Sequence, residues 1–341
     1  MNLNPTSMKK VIIVLFGLLL CSQAAKAQVD TIKYGLKGKI IRAFEQSTVS
    51  PNTYYAGLKG ASFGTGHVYK STDAGVTWHV LNNGEPIDPY VADIQAVAES
   101  KLPNPILWAG TWKNGMFKSL DYGETWVKDM SCPSSDIRSI RTGIQNPSLI
   151  YAATSTFGVI KSTDRGATWH RNTPAVIDSS FAFAWSIEID PVDDRIIYAQ
   201  TFGDGVWRSV DQGDSWTQLL DTDGQVAWDM KIADHGELYV AASKRGASES
   251  TLYHSTDGGA TWVQVSDAPQ IGINQIATHE HDGESTIYVG SWQDGVYQLM
   301  GGVWSKVDSV DHGTIAHILN NENGVLIGSW GNGIYQVNHE H

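Results

Sequence analysis

Apolar positions in this chain fall into short runs with a period of two, and one such run recurs. A three-residue signature marks it: YAG at 55–57, WAG at 108–110, YAA at 151–153, YAQ at 198–200, YVA at 239–241, YVG at 288–290 and LIG at 326–328. Before each lies another alternating or apolar segment, such as IRSI at 137–140 or INQI at 273–276. After each come a loop and a third short segment, such as GVWR at 205–208 or GVYQ at 295–298. Period-two alternation places successive side chains on opposite faces of an extended strand. The pattern predicts short strands joined by turns.

An eight-residue box follows the third segment. It reads Ser-x-Asp-x-Gly-x-Thr/Ser-Trp and occurs at 71–78, 119–126, 162–169, 209–216 and 255–262, with start-to-start spacings of 48, 43, 47 and 46 residues. An eroded copy ends at Trp304. In the box, Asp accepts backbone N–H groups and Gly supplies an unusual φ, which makes a tight turn. The Trp anchors the hairpin between neighbouring sheets. Such regular recurrence suits packing better than chemistry. Units of four short strands at this period indicate a β-propeller.

The blade number follows from counting. Seven signatures are present, but only six box-plus-outer-strand segments, and the seventh unit stops one strand short at YQV, 335–337. A spare segment, VDTIKY at 29–34, precedes the first unit. It is expected to supply the missing outer strand, which ties the ends together and covers an open sheet edge. The expectation is an all-β, seven-bladed β-propeller of four-stranded antiparallel blades, the N-terminal strand closing the last blade, over 28–341 as one domain.

The box resembles the Asp-box (BNR) repeat, and the chain is similar to exported Asp-box propellers. That group includes sialidases, xyloglucan-type glycoside hydrolases, sortilin-type receptors and photosystem-assembly propellers. The resemblance covers nearly all of the chain after residue 27. It implies the architecture rather than one activity, because one fold hosts many functions.

Composition adds exclusions. With 41% apolar residues and no low-complexity bias, the chain is neither disordered, collagenous nor a coiled coil. Its formal charge of −12 repels phosphate backbones, which argues against nucleic acid as a partner. MKK at 8–10, an unbroken apolar run at 11–20 and AKA at 25–27 form a secretory signal peptide, residues 1–27, with cleavage before Gln28. The run is too short to cross about 30 Å of hydrocarbon, so no membrane span is expected. Lipoprotein processing at Cys21 fits less well, since Leu20 stands where a small residue is preferred. Loss of three lysines takes the formal charge from −12 to −15. Cys132 is then alone and forms no internal disulfide. The expected product is a secreted or periplasmic monomer.

Chain direction alternates between strands, so strand parity assigns residues to faces. The loop before the first strand and the loop between the second and third share one face. On the opposite, box-side face, the turns are short and polar. One of them holds His279, His281 and Asp282, where a solvated turn is a better reading than a metal site. The first face carries Trp112, Phe202, Trp292 and Trp330, accompanied by Lys59, Lys113, Asn114, Asp204, Lys244, Arg245, Gln293, Asp294 and Asn332. Aligned inner strands add a ring column: Arg42, Gln95, Arg138, Trp185, Trp228, Asn274 and Ala316. The next column contains Asp229 and His317. Aromatic rings stack on sugar C–H faces while amides and charges bind hydroxyls, so this mouth is a candidate carbohydrate site. Arg42 and Arg138 suit an anionic group such as a uronate, or else pair with acids such as Asp229.

Candidate catalytic groups are Asp229, Asp204 and Asp294 as paired carboxylates of a glycoside hydrolase, and His317 as the base of a polysaccharide lyase. A sialidase-type site needs three arginines, and only Arg42 and Arg138 are evident. Three classes stay open: an exported glycan-active enzyme, a non-catalytic glycan-binding module, and a protein-interaction or assembly scaffold. No cofactor is implied, and FGTG at 63–66 is a strand connector, not a phosphate loop.

Overall fold

The computed structural model describes residues 33–172, 183–233, 236–281, 284–308, 310, 313–321 and 324–338. Residues 1–27, expected to be a signal peptide, and Asp282 lie outside these residues. The described strands form seven four-stranded antiparallel sheets. Blade 1 begins with Ile40–Gln46, and the inner strands of blades 2 to 7 are Ile94–Glu99, Ile137–Thr142, Ala184–Ile189, Val226–Ile232, Ile273–His281 and Ile315–Asn321. In blades 1 to 6 the four strands follow chain order from inside to outside. In blade 7 the outermost strand is Lys33–Tyr34, which pairs with Gly333–Asn338 in the register Lys33 to Tyr335 and Tyr34 to Ile334. Inner strands of successive blades pack side by side, and blade 7 meets blade 1. Among the described residues no helix is long and apolar enough to cross a membrane.

Where the third residue of a signature is glycine, it has a packing cause. A Cβ on Gly57 would lie 2.6 Å from Ile94 Cγ2 of the next blade, and one on Gly110 would lie equally close to Ile137. Glycine there lets an isoleucine of the next inner strand pack directly on the sheet. The cores between blades are built this way: Ile94 and Val97 sit on Tyr55 and Val68, and Ile137 and Ile140 sit on Trp108 and Met116.

The boxes serve the frame. Ser71 Oγ donates to Asp73 Oδ1 at 2.8 Å and accepts from Gly75 N at 2.9 Å, while Asp73 accepts from both the backbone and the hydroxyl of Thr77. The other four boxes repeat these bonds. Three of the five box tryptophans reach the preceding blade: Trp169 Nε1 donates to Asp129, Trp216 Nε1 to the Asn172 carbonyl and Trp262 Nε1 to the Leu219 carbonyl.

One irregularity recurs in every blade. The register of each inner strand slips beside its second strand, between Ile41 and Ala43 in blade 1 and at the matching place in all seven. The skipped residues are Arg42, Gln95, Arg138, Trp185, Trp228, Asn274 and Ala316, the whole ring column. A β-bulge leaves its extra residue outside the ladder and re-aims its side chain.

Candidate functional site

A cavity of about 590 Å³ opens among these bulges. Its walls include Arg42, Gln95, Trp112, Arg138, Trp185, Trp228, Asn274, Trp292 and Trp330, together with Asp229 and His317. The structure therefore gathers nearly all of the sequence-derived candidates. Asp204 and Asp294 are the exceptions and do not line the cavity. Their backbones close the loops instead: Asp204 N donates to Thr201 Oγ1 and Asp294 N to Ser291 Oγ.

One half of the wall is aromatic. Phe183 stacks on Phe202 with centroids 4.7 Å apart, and Trp185 meets Trp228 edge to face at 5.2 Å. Trp228 meets Trp292 at 5.2 Å, and Trp292 meets Trp330 at 6.1 Å. Guanidinium groups cap both ends of this arc. Arg42 lies 4.3 Å over Trp330, and Arg138 lies 5.5 Å from Phe183 and Trp185. Such cation–π contacts hold the guanidinium planes in place.

The other half is polar. Arg138 Nη2 pairs with Asp136 Oδ2 at 2.9 Å and its Nη1 donates to Gln95 Oε1 at 3.4 Å. Arg42 Nε lies 3.6 Å from Asp93 Oδ1. The acids that neutralise the two arginines are thus Asp93 and Asp136, not Asp229. Burial pushes the Asp93 carboxyl above the usual range, against the pull of Arg42. Five buried atoms of cavity-lining side chains have no hydrogen-bond partner among the described residues: Arg42 Nε, Asp93 Oδ1, Arg138 Nε, Ser139 Oγ and Asn274 Oδ1. Buried polar atoms are ordinarily bonded, and leaving one unbonded costs about 1–3 kcal/mol.

Beyond the ring, three residues further along each inner strand, lies a charged belt of Glu45, Arg141, Glu188 and Lys231. Arg141 donates Nη2 and Nε to Glu188 at 2.8 and 3.2 Å, and Lys231 Nζ lies 3.4 Å from Glu188 Oε1. Burial opposes ionisation of Glu188, yet Arg141 and Lys231 outweigh it and hold its carboxyl at about 2. The Glu45 side chain forms no hydrogen bond among the described residues, and burial lifts its carboxyl to about 7. Asp229 accepts from Ile276 N at 2.7 Å, but burial still lifts it to about 6. His317 Nε2 is 2.9 Å from the Arg42 carbonyl oxygen, so this nitrogen carries the donated proton; burial lowers the ring to about 4.

The raised Glu45 carboxyl has a pH consequence. A folded-state value above the unfolded one stabilises below about 4.5, and that stabilisation is lost as pH rises through about 7. Glu45→Gln removes the charge that must be buried. It is expected to stabilise by about 1 kcal/mol at pH 8, discounted for channel water, and by nothing at pH 4. Thermal unfolding of both proteins at the two pH values checks this, and an equal shift at both refutes it.

The belt was missed in the sequence because strict alternation puts a residue three places beyond the ring column on the opposite face, and the bulge at the ring position brings Glu45, Arg141, Glu188 and Lys231 round to the channel. It also supplies a third channel arginine, Arg141, which is paired with Glu188. Cys132 is half-buried, and burial raises its thiol to about 11, which suits an inert residue. Among the described residues no group of three or more His, Cys, Asp or Glu side chains is placed to hold a metal ion. The side chain of His281 lies outside the description.

No family model and no curated protein matches the sequence. Solved structures do match in fold. The GH74 xyloglucanase from Xanthomonas campestris superposes with a TM-score of 0.67 at 14% identity, over 90% of this chain and 53% of that one. YCF48 from Cyanidioschyzon merolae gives 0.64 at 14% identity, over 90% of this chain and 98% of that one. YCF48 bound to D1 peptide gives 0.63 at 16% identity, over 90% and 95%. The chain spans about half the length of the xyloglucanase and nearly the whole of each YCF48. At these identities the likeness shows that all of them share the propeller fold.

Proposed function

We propose that this chain is an exported Asp-box propeller that binds an oligosaccharide in its mouth without cleaving it. One observation carries the reading. The aromatic arc of Trp185, Trp228, Trp292 and Trp330 faces a polar half that presents Arg42, Gln95 and Arg138, and both halves line one cavity. Sugars carry apolar C–H faces and hydroxyls that both donate and accept, so they suit such a two-sided wall, whereas a sulfate or carboxylate only accepts. Asp93 and Asp136 also neutralise the arginines, which favours a neutral glycan over a uronate. The aromatic arc opposite supplies faces for pyranose C–H groups.

Hydrolysis needs two carboxyl groups flanking the scissile bond. Asp204 and Asp294 are outside the cavity, Asp229 is tied to a backbone N–H, and the His317 proton is held by a carbonyl. These engagements favour binding over turnover. A second reading, capture of an extended peptide, is favoured by the full-length match to a YCF48 bound to a peptide.

Affinity electrophoresis in gels containing xyloglucan, galactomannan, mixed-linkage glucan, polygalacturonan or alginate tests the proposal. Reducing-end and unsaturated-product assays run beside it. Retention by a neutral glycan is expected, without product. Trp292→Ala is expected to weaken retention about tenfold, and Asp229→Asn to preserve it. Product formation lost in Asp229→Asn would establish an enzyme instead. Absence of retention on every gel, with tight binding of an unstructured peptide, would favour the second reading.

A further inference from the structure

Beyond the cavity, large aromatic side chains stand exposed on the mouth-face loops. Where blades 1 and 2 meet, two mouth-face loops run side by side. Gly60 N donates to Ala92 O at 2.7 Å, and Gly64 N and Gly66 N both donate to Val91 O, at 3.0 and 3.1 Å. Ile87 and Val91 are buried and pin the second loop from below. These tethered loops nevertheless leave Phe63 and Tyr90 with 76% and 69% of their surface exposed. Trp112, 43% exposed, donates its backbone N–H to Asp93 O and also lines the cavity, so it joins the rim to the mouth.

We infer that Phe63 and Tyr90, with Trp112, form an outer subsite for the continuing residues of a polysaccharide whose nearer sugars sit in the mouth. The inference rests on the glycan reading of that mouth and deepens it: the ligand is a polymer, not a free mono- or disaccharide. Three points support it. Large exposed aromatic side chains grouped beside a cavity mark contact surfaces. Backbone bonds already order the loops, so binding there costs little further ordering. A chain seated in the mouth leaves it across whichever rim it meets, and Trp112 makes this rim continuous with the wall. Phe63 offers no polar atom at its ring, so its contribution is face contact, as pyranose C–H surfaces require.

The test compares chain lengths. Binding of xyloglucan, galactomannan and mixed-linkage glucan, and of a trisaccharide and an octasaccharide from each, is measured by isothermal titration. The proteins are the parent and the doubly substituted Phe63→Ala, Tyr90→Ala variant. Both side chains are exposed, so equal thermal unfolding of the two proteins is expected. The parent should bind the octasaccharide about tenfold more tightly than the trisaccharide of the same glycan. In the variant that advantage should fall below about twofold, with trisaccharide binding unchanged. A variant that keeps the full chain-length advantage overturns the outer subsite and leaves the mouth reading standing. Failure of the parent to bind any of these glycans overturns both.

Discussion

Arg141→Ala is expected to lower the unfolding free energy by about 3 kcal/mol at pH 7, near the low end for breaking a buried ion pair. The guanidinium gives two bonds to Glu188 and one, from Nη1, to the Ile140 carbonyl. Without it Glu188, only 15% exposed, keeps Lys231 alone at 3.4 Å. Arg141 itself is 30% exposed to the channel, so water replaces part of the loss and the low end applies. The sign with pH follows from Glu188, whose folded value is held at about 2, below its usual 4.5. Its stabilisation is present above about pH 4.5 and is lost as pH falls towards 2. The gap between parent and variant should therefore shrink on acidification. Urea denaturation at pH 7 and at pH 3 reads it, and a gap that is constant, or below about 1 kcal/mol at pH 7, contradicts the account.

Trp228→Ala should cost more, about 3–5 kcal/mol, and remove glycan retention as well. Trp228 is 7% exposed and sits at the centre of the aromatic arc, edge to face with Trp185 on one side and Trp292 on the other. Its indole N–H donates to Ser243 Oγ at 2.7 Å. Truncation opens a cavity, leaves that hydroxyl without its donor and frees both neighbouring rings. Trp228→Phe keeps a ring in the arc and loses only the bond and part of the volume, so about 1–2 kcal/mol and weakened retention are expected. The two variants differ in a way that a purely local packing loss does not produce, because retention should track the ring. An alanine variant that is destabilised yet retains glycan as the parent does would remove Trp228 from the site.

The blade count and the mouth were legible because both follow from strict periodicities. The signature and the box recur in the forties, and alternation assigns the inner-strand positions to the channel. Proximity beyond the repeat was not legible. Asp93 and Asp136 come just before or at the start of the inner strands, so the ring column does not include them, yet they neutralise Arg42 and Arg138. Asp204 and Asp294 stand in the right loops, but a Ser/Thr turn fixes their backbones there and the cavity lies elsewhere. Partnerless atoms such as Asn274 Oδ1 emerge only when every bond is counted, since the other side-chain atom of Asn274 is well bonded to the Ile315 carbonyl.

The repeated slip in the inner strands has a wider consequence. Each displaced residue stands off the ladder, while its neighbours, such as Ile41, Ile94, Ile137 and Ile273, carry the interblade cores. Those seven positions hold cations, amides, indoles and a methyl group on one common frame. The molecule thus separates what must stay fixed from what can be rewritten. A change of specificity at Gln95 or Ala316 requires no new solution to the folding problem, whereas Trp228 and Asn274, bonded back into the walls, and Arg42 and Arg138, each paired with an aspartate, are the letters least free to vary.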